Sequence, residues 1–171
     1  MTAGEDVAAA ALVHLDALYS FAVHLSGSRR DADDLVQETY ARALSGATTF
    51  VRGTNLRAWL FRILRNTFID DRRRAKRSPI EVGETDTAGP DTDEPVCGDV
   101  ELERMRSLVA GDLAAALAEL PEEARTAVLL DAEGFTESEL AQVLGCAIGT
   151  VKSKLYRARA SLRTRLRDYA R

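Results

Sequence analysis

Cysteine is scarce: Cys97 and Cys146 are the only two in 171 residues. Two thiols cannot build a disulfide framework or a cysteine-rich zinc site. Histidine is as scarce, and His14 and His24 lack a helical metal-ligand spacing. Both read as ordinary, partly buried residues, so no metal and no cofactor is expected. Proline occurs 4 times and aromatic residues make up 6%, which disfavours strands, since these draw on aromatic and β-branched side chains. No apolar run approaches the roughly 20 residues needed to cross a bilayer. The longest is 7–13, mostly alanine. A basic start followed by an apolar core and a cleavage site is also missing, so no export signal is read. The expected compartment is the cytoplasm, without membrane insertion by the chain itself. What is abundant is 27 Ala, 21 Leu and 20 Arg, all strong helix formers. With 46% hydrophobic residues the chain can bury a core. The expectation is an all-α protein.

The net charge of −4 conceals segregation. Residues 61–77 carry +5, residues 78–123 carry −11, and residues 151–171 carry +7. Two basic blocks that each end a helical pattern point to two contacts with a polyanion. A single basic block would more simply be a solvated face. The acidic total argues against a general DNA coater.

From Val7 the residues Ala11, Leu15, Leu18, Ala22 and Leu25 recur at three and four, which predicts one amphipathic helix ending at Gly27. Residues 1–6 read as a loose terminus. Asp31 is the expected N-cap of a helix over 32–44. There Leu35, Val36, Tyr40 and Ala43 face a core, and Asp34, Gln37, Glu38 and Arg42 form a polar side. A loop over 46–54 leads to a long helix over 55–76, with Leu56, Trp59, Leu60, Ile63 and Thr67 on one stripe. Ser78-Pro79 stops it, because the residue before proline is pushed out of helical geometry. Residues 78–110 read as a mobile acidic linker. The fold class is therefore two small helical domains, 7–77 and 111–171, joined by a flexible acidic linker, the C-terminal one a helix-turn-helix.

In that second domain Leu113, Leu117 and Leu120 give one helix face. Leu120-Pro121-Glu122-Glu123 stops one helix and starts the next, since proline and acids suit a first turn. Thr136-Glu137-Ser138-Glu139 is a capping box. A short helix then stops at Gly145, and a final helix turns Val151, Leu155, Ala158, Leu162 and Leu166 inward. A short capped helix, a tight turn and a cation-rich helix form the helix-turn-helix pattern, whose second helix enters the major groove. Thr150, Lys152, Ser153, Lys154, Tyr156 and Arg157 are the polar residues near its start. Lys152, Ser153 and Arg157 are candidates for base or adjacent phosphate contact, and Arg159 and Arg163 for backbone phosphate.

On the long helix Arg62, Asn66 and Arg73 fall near one face, with Arg65 close by, and Trp59, Phe61 and Phe68 add flat surfaces. Cations that track phosphate, with planar or amide groups for bases, suit single-stranded or opened DNA. Trp59 alone reads more simply as core. The acidic face at 31–44 suits a basic protein partner.

DADDLVQETYARAL, then WLFRILRNTFIDDRRR, then an acidic linker, then LPEEARTAVLL and GFTESELAQVLGCAIGTVKSKLYRARASLR resembles, in that order, an extracytoplasmic-function (ECF) sigma factor of the sigma-70 family. The resemblance covers about residues 7–77 and 111–168. It implies that Asp34, Gln37 and Glu38 dock on the coiled coil of the β′ subunit of core RNA polymerase. It implies that Asn66 lies near the pocket for a flipped base of the −10 element, and that Arg62, Arg65, Arg72, Arg73 and Arg74 hold opened promoter DNA. It places Thr150, Lys152, Ser153, Lys154, Tyr156, Arg157 and Arg159 on the −35 element, and implies a β-flap contact and a cognate anti-sigma factor. Ala147 departs from the family's frequent Pro or Ser, a missing cap worth roughly 1 kcal/mol. Cys146 reads as small core filler, and Cys97 as an exposed linker residue.

The physical argument agrees. A negative chain grips DNA weakly by itself, and unstacking a base costs a few kcal/mol that a docked enzyme complex offsets better than a small free protein. Two short recognition blocks on a tether gain effective concentration when one scaffold fixes both. A free-standing helix-turn-helix regulator is the alternative, but such proteins usually dimerise, no dimer helix is evident, and block 61–77 would be left without a role. An enzyme is disfavoured, because no phosphate loop, nucleophile–base set or paired catalytic carboxylates stands out. Asp70 and Asp71 are adjacent and point apart on a helix.

Overall fold

The computed structural model describes residues 3–51, 53–77 and 100–167, with the side chains of 3–6, 8 and 100–106 outside that description. Most of the expected linker and Cys97 therefore lie outside the described residues. Among the described residues there are eight α-helices, one short 3-10 turn (Ala47–Thr49) and no strand. In chain order they are α1 (Ala3–Leu12), α2 (Leu15–Ser26), α3 (Arg29–Ser45), α4 (Leu56–Arg77), α5 (Val100–Ala118), α6 (Glu122–Ala132), α7 (Glu137–Leu144) and α8 (Ile148–Arg165).

The first expected helix is two helices. The chain bends at Val13–His14, where the His14 N–H bonds the Ala11 carbonyl at 3.0 Å. The Tyr40 hydroxyl also donates to that carbonyl, at 2.8 Å from α3. The bend lets α1 cross α3, α4 and the 3-10 turn, burying Val7 and Ala11, while Leu15 is left exposed. Residues 3–6, expected to be loose, belong to α1. The cap of α3 is Ser28, not Asp31. Its extended backbone aims the hydroxyl oxygen at the Asp31 N–H, 3.3 Å away. Asp31 instead sits in the first turn, where its charge suits the positive helix end.

Helices α2, α3 and α4 pack through Leu18, Phe21, Leu25, Leu35, Leu60 and Leu64. Thr39 is buried among them, satisfied by donating its hydroxyl to the Leu35 carbonyl at 2.7 Å. Asn55 caps α4, its side-chain oxygen accepting from the Ala58 N–H at 3.0 Å. In the C-terminal unit α6, α7 and α8 close around Leu130, Phe135, Leu140, Val143, Val151 and Leu155. Helix α5 starts at Val100, inside the stretch read as linker. Its Leu117, with Leu120 just past its end, packs against Ala158 and Leu162, but Leu113 is exposed.

The two units share one hydrophobic cluster. Phe61 of α4 is fully buried, its ring 5.3 Å from Phe21 on one side and 4.9 Å, edge-on, from Phe135 on the other. It is a core residue and offers DNA no flat surface, contrary to the sequence expectation. Arg57 stacks over Phe135 at 4.1 Å and donates to the Glu133 carbonyl at 2.7 Å.

Candidate nucleic-acid and polymerase interface

Local chemistry builds the turn of the helix-turn-helix. The Thr136 side-chain oxygen accepts from the Glu139 N–H at 3.3 Å, and the Glu139 carboxylate accepts from the Thr136 N–H at 2.7 Å. The same carboxylate accepts from Asn55 at the start of α4. The hydrogen bonds from Thr136 hold the Glu139 carboxyl below the usual carboxylate range, helped by Asn55 and the charge of Arg57 and opposed by burial. Gly145 ends α7 at φ 65°, a left-handed conformation that costs a residue with a Cβ roughly 1–2 kcal/mol. The turn delivers Ala147 to the α8 cap without a side-chain hydrogen bond, as its methyl side chain requires.

Val151, Leu155 and Ala158 anchor α8 from below. Thr150, Lys152, Ser153, Tyr156 and Arg157 face outward, with Tyr156 77% exposed. Lys152, Ser153, Tyr156 and Arg157 share one shallow surface groove. Arg157 Nε donates to the Ser153 carbonyl at 3.2 Å, which steadies the guanidinium across that face. Lys154 and Arg159 take a different direction. Lys154 Nζ lies 2.5 Å from Glu123, and Arg159 Nη2 lies 2.5 Å from Asp131, both on α6. They flank the buried stripe at helical spacing, so their inward lean was available in the sequence.

On α4, Arg62, Asn66 and Arg73 are exposed and share a face. Arg74 is exposed and pairs with Asp71 at 3.8 Å. Arg72 lies 3.4 Å from Glu122 and over the Phe68 ring. Arg65 is different: only 8% of it is exposed, Nη2 lies 3.6 Å from Glu123, and its buried Nε has no partner among the described residues. Arg65, Asn66, Arg72, Arg73 and Lys76 line a cleft of about 640 Å³ whose opposite wall carries Glu122 and Glu123.

On α3, Asp34, Gln37 and Glu38 are all exposed. Glu38 accepts from Arg42 Nε at 2.7 Å, and Arg42 also lies 3.6 Å from Asp70 of α4. Asp34 lies on the rim of a second groove between the two units, floored by Leu25, Leu35, Phe68 and Leu120. Arg125 lines this groove, held below its ordinary guanidinium value by burial first and by the neighbouring charge of Arg72. Sequence reasoning missed Glu122, Glu123 and Arg125, because only the packing of the two units brings Arg72 and Arg65 to the two glutamates and sets Arg125 in this groove.

Three helices thus present separate polar faces: an acidic one on α3, a cationic one on α4 and a mixed one on α8. Residues 12–78 match the family model for sigma-70 region 2, and residues 110–162 match that for sigma-70 region 4. The chain is 42% identical over 155 residues to the ECF RNA polymerase sigma factor EcfG of Rhodopseudomonas palustris, covering 88% of this chain and 80% of that protein. It is 35% identical over 158 residues to the ECF RNA polymerase sigma factor SigL of Mycobacterium tuberculosis, covering 91% and 85%. Among solved structures it resembles the sigma factor RpoE of Bartonella quintana in complex with the anti-sigma factor NepR. The TM-score is 0.70 and the identity 34%, with 91% of this chain and 93% of that one covered. It also resembles CnrH in complex with the cytosolic domain of CnrY, with TM-score 0.66, 28% identity and coverage of 97% and 96%. The chain therefore belongs to the ECF RNA polymerase sigma factors, and its function is to direct RNA polymerase in promoter recognition and transcription initiation.

Proposed function

We propose that the three polar faces divide the work of initiation. Asp34, Gln37 and Glu38 of α3 dock on the β′ coiled coil of core polymerase, while the C-terminal unit meets the β flap. Arg62, Asn66, Arg72, Arg73 and Arg74 of α4, with Arg65 once it is uncovered, hold the melted −10 region, and Asn66 reads a flipped base. Thr150, Lys152, Ser153, Tyr156 and Arg157 of α8 read the −35 element, with Lys154 and Arg159 serving it from the flanks. The chain works in the cytoplasm and catalyses no reaction of its own; the chemistry belongs to polymerase.

The observation that carries this reading is the outward stripe on α8 together with the second, separate cationic stripe on α4. A free-standing regulator needs only the first. The net charge of −4 supports the same conclusion, since a polymerase must supply the cationic surface the chain lacks.

An anti-sigma factor fits as well. RpoE was solved with the anti-sigma factor NepR and CnrH with the cytosolic domain of CnrY, and the groove rimmed by Asp34 adjoins the docking face. A protein seated there would keep polymerase away.

Run-off transcription with purified core polymerase tests the docking face. Glu38→Lys reverses a charge on an exposed residue and leaves the core intact. Transcript should fall at least tenfold, recovering as the variant is raised to high concentration, because a like-charge clash at an interface costs several kcal/mol. Undiminished transcript from the variant at low concentration rules the α3 assignment out.

A further inference from the structure

The packing of the two units has a charge pattern that stability alone does not require. Each oxygen of the Glu123 carboxylate holds a cation from a different helix: Oε1 lies 3.6 Å from Arg65 of α4, and Oε2 lies 2.5 Å from Lys154 of α8. Next to it, Glu122 Oε2 lies 3.4 Å from Arg72 of α4. A carboxylate bridging two cations is what a DNA phosphate would be at the same place. The Glu123 carboxyl is held below the usual carboxylate range, first by the hydrogen bond from Lys154, then by the charges of Lys154 and Arg65. It is therefore ionised at neutral pH. The cleft it faces is the one lined by Asn66, Arg73 and Lys76.

We infer that Glu122 and Glu123 act as an internal phosphate mimic, a brake that closes the free chain by holding the α4 cations Arg65 and Arg72 against the C-terminal unit and that yields when the two units part. This rests on the reading of α4 and α8 as DNA-facing helices. Arg65 cannot reach DNA while the α6 wall covers it, so its contact with DNA and closure exclude each other. The brake is weak enough to release. The Glu123 side chain is half exposed, and ion pairs at such sites are worth little and exchange readily. The apolar seam, centred on Phe61 and Phe135, is flanked by the polar contacts Arg57–Glu133 and Asn55–Glu139. Keeping a free initiation factor off stray nucleic acid is the purpose such a device serves.

The test uses the full chain, labelled for energy transfer at Ser45→Cys and Ala114→Cys in a Cys97→Ser, Cys146→Ala background. Both labelled positions are exposed, one in each unit. The same protein is titrated into a fluorescent single-stranded oligothymidylate. Glu122→Gln with Glu123→Gln should lower transfer, and should tighten oligothymidylate binding about three- to tenfold by freeing three cations. Glu119→Gln, in the same unit but outside the cleft, frees Arg165 at the end of α8. It should leave transfer unchanged and move binding by less than about twofold, since the loss is one exposed pair. Unchanged transfer in the Glu122/Glu123 variant overturns the brake, and so does equal tightening by this control. A separate check isolates the underlying assignment. Arg62→Ala with Arg73→Ala, both outside the closed contact, should weaken binding without changing transfer. If binding is unaffected, the α4 assignment fails and the inference falls with it, whatever the transfer shows.

Discussion

Replacing Phe135 by alanine removes a ring that is only 4% exposed and lies where the two units meet. Three contributions vanish together. Burial of a large apolar side chain, with the cavity left behind, sets a cost of about 3–5 kcal/mol for the C-terminal unit. Within that figure, the edge-on contact with Phe61 at 4.9 Å accounts for about 0.5–1.5 kcal/mol. The Arg57 guanidinium, 4.1 Å from the ring centroid, adds about 0.5–1 kcal/mol. The last two reach across to α4, so the N-terminal unit should lose about 1–2.5 kcal/mol from a substitution it does not contain. The chain provides its own probe, because Trp59 is its single tryptophan. It sits in the N-terminal unit, 5.1 Å from the Phe50 ring. Urea unfolding followed by Trp59 fluorescence should show a midpoint lowered by roughly 0.5–1 M, given slopes of about 1–3 kcal/mol/M. Far-UV circular dichroism should show the larger loss. Phe135→Leu, which keeps most of the volume, should cost less by both probes. A Trp59 midpoint that stays fixed while the circular dichroism transition moves would refute the shared core.

The capping carboxylate predicts a pH dependence. Glu139 is depressed in the folded state, so its stabilisation is present above the ordinary glutamate range and is lost as pH falls through the folded value. Urea midpoints of the wild type and Glu139→Gln should therefore differ at neutral pH and converge in acid, below the ordinary glutamate range; a gap that widens in acid contradicts the sign. On α8 the outward Arg157 and the inward Lys154 should separate in their effects. Arg157→Ala should cost about 1–3 kcal/mol of discrimination between the preferred and an altered −35 sequence, measured with the polymerase holoenzyme. Lys154→Ala should instead change that discrimination by less than about twofold, because its ammonium is held by Glu123 of α6, and equal loss of discrimination in both would undo the distinction drawn between them.

The capping box at Thr136–Glu139 was legible from four residues, because both of its hydrogen bonds close within one turn. The same holds for the stop at Gly145, the start at Pro121 and the outward set Thr150, Lys152, Ser153, Tyr156 and Arg157, which the buried positions 151, 155 and 158 fix by helical geometry. The acidic face of α3 was legible in the same way. The bend at Val13–His14 was not. No proline or glycine marks it, and the spacing of Ala11, Leu15 and Leu18 fits one continuous helix. The bend exists because α1 gains a seat across α3 and α4, and because Tyr40, distant in sequence, takes up the Ala11 carbonyl. Ser28 and Asp31 are both good caps, and backbone geometry chose the serine.

The sequence by itself therefore determined the helices, the polar faces they carry and the family to which the chain belongs, since periodicity, capping and motif order are written within a few turns of chain. Only the tertiary structure decided that Phe61 is core, that Arg65 lies under α6, and that Glu122 and Glu123 face the cations of α4. Those outcomes depend on how two units far apart in the chain press together. A side chain on a helix flank has no assigned neighbour until a second helix arrives, and the identity of that neighbour settles whether a cation meets solvent, nucleic acid or a carboxylate of its own chain.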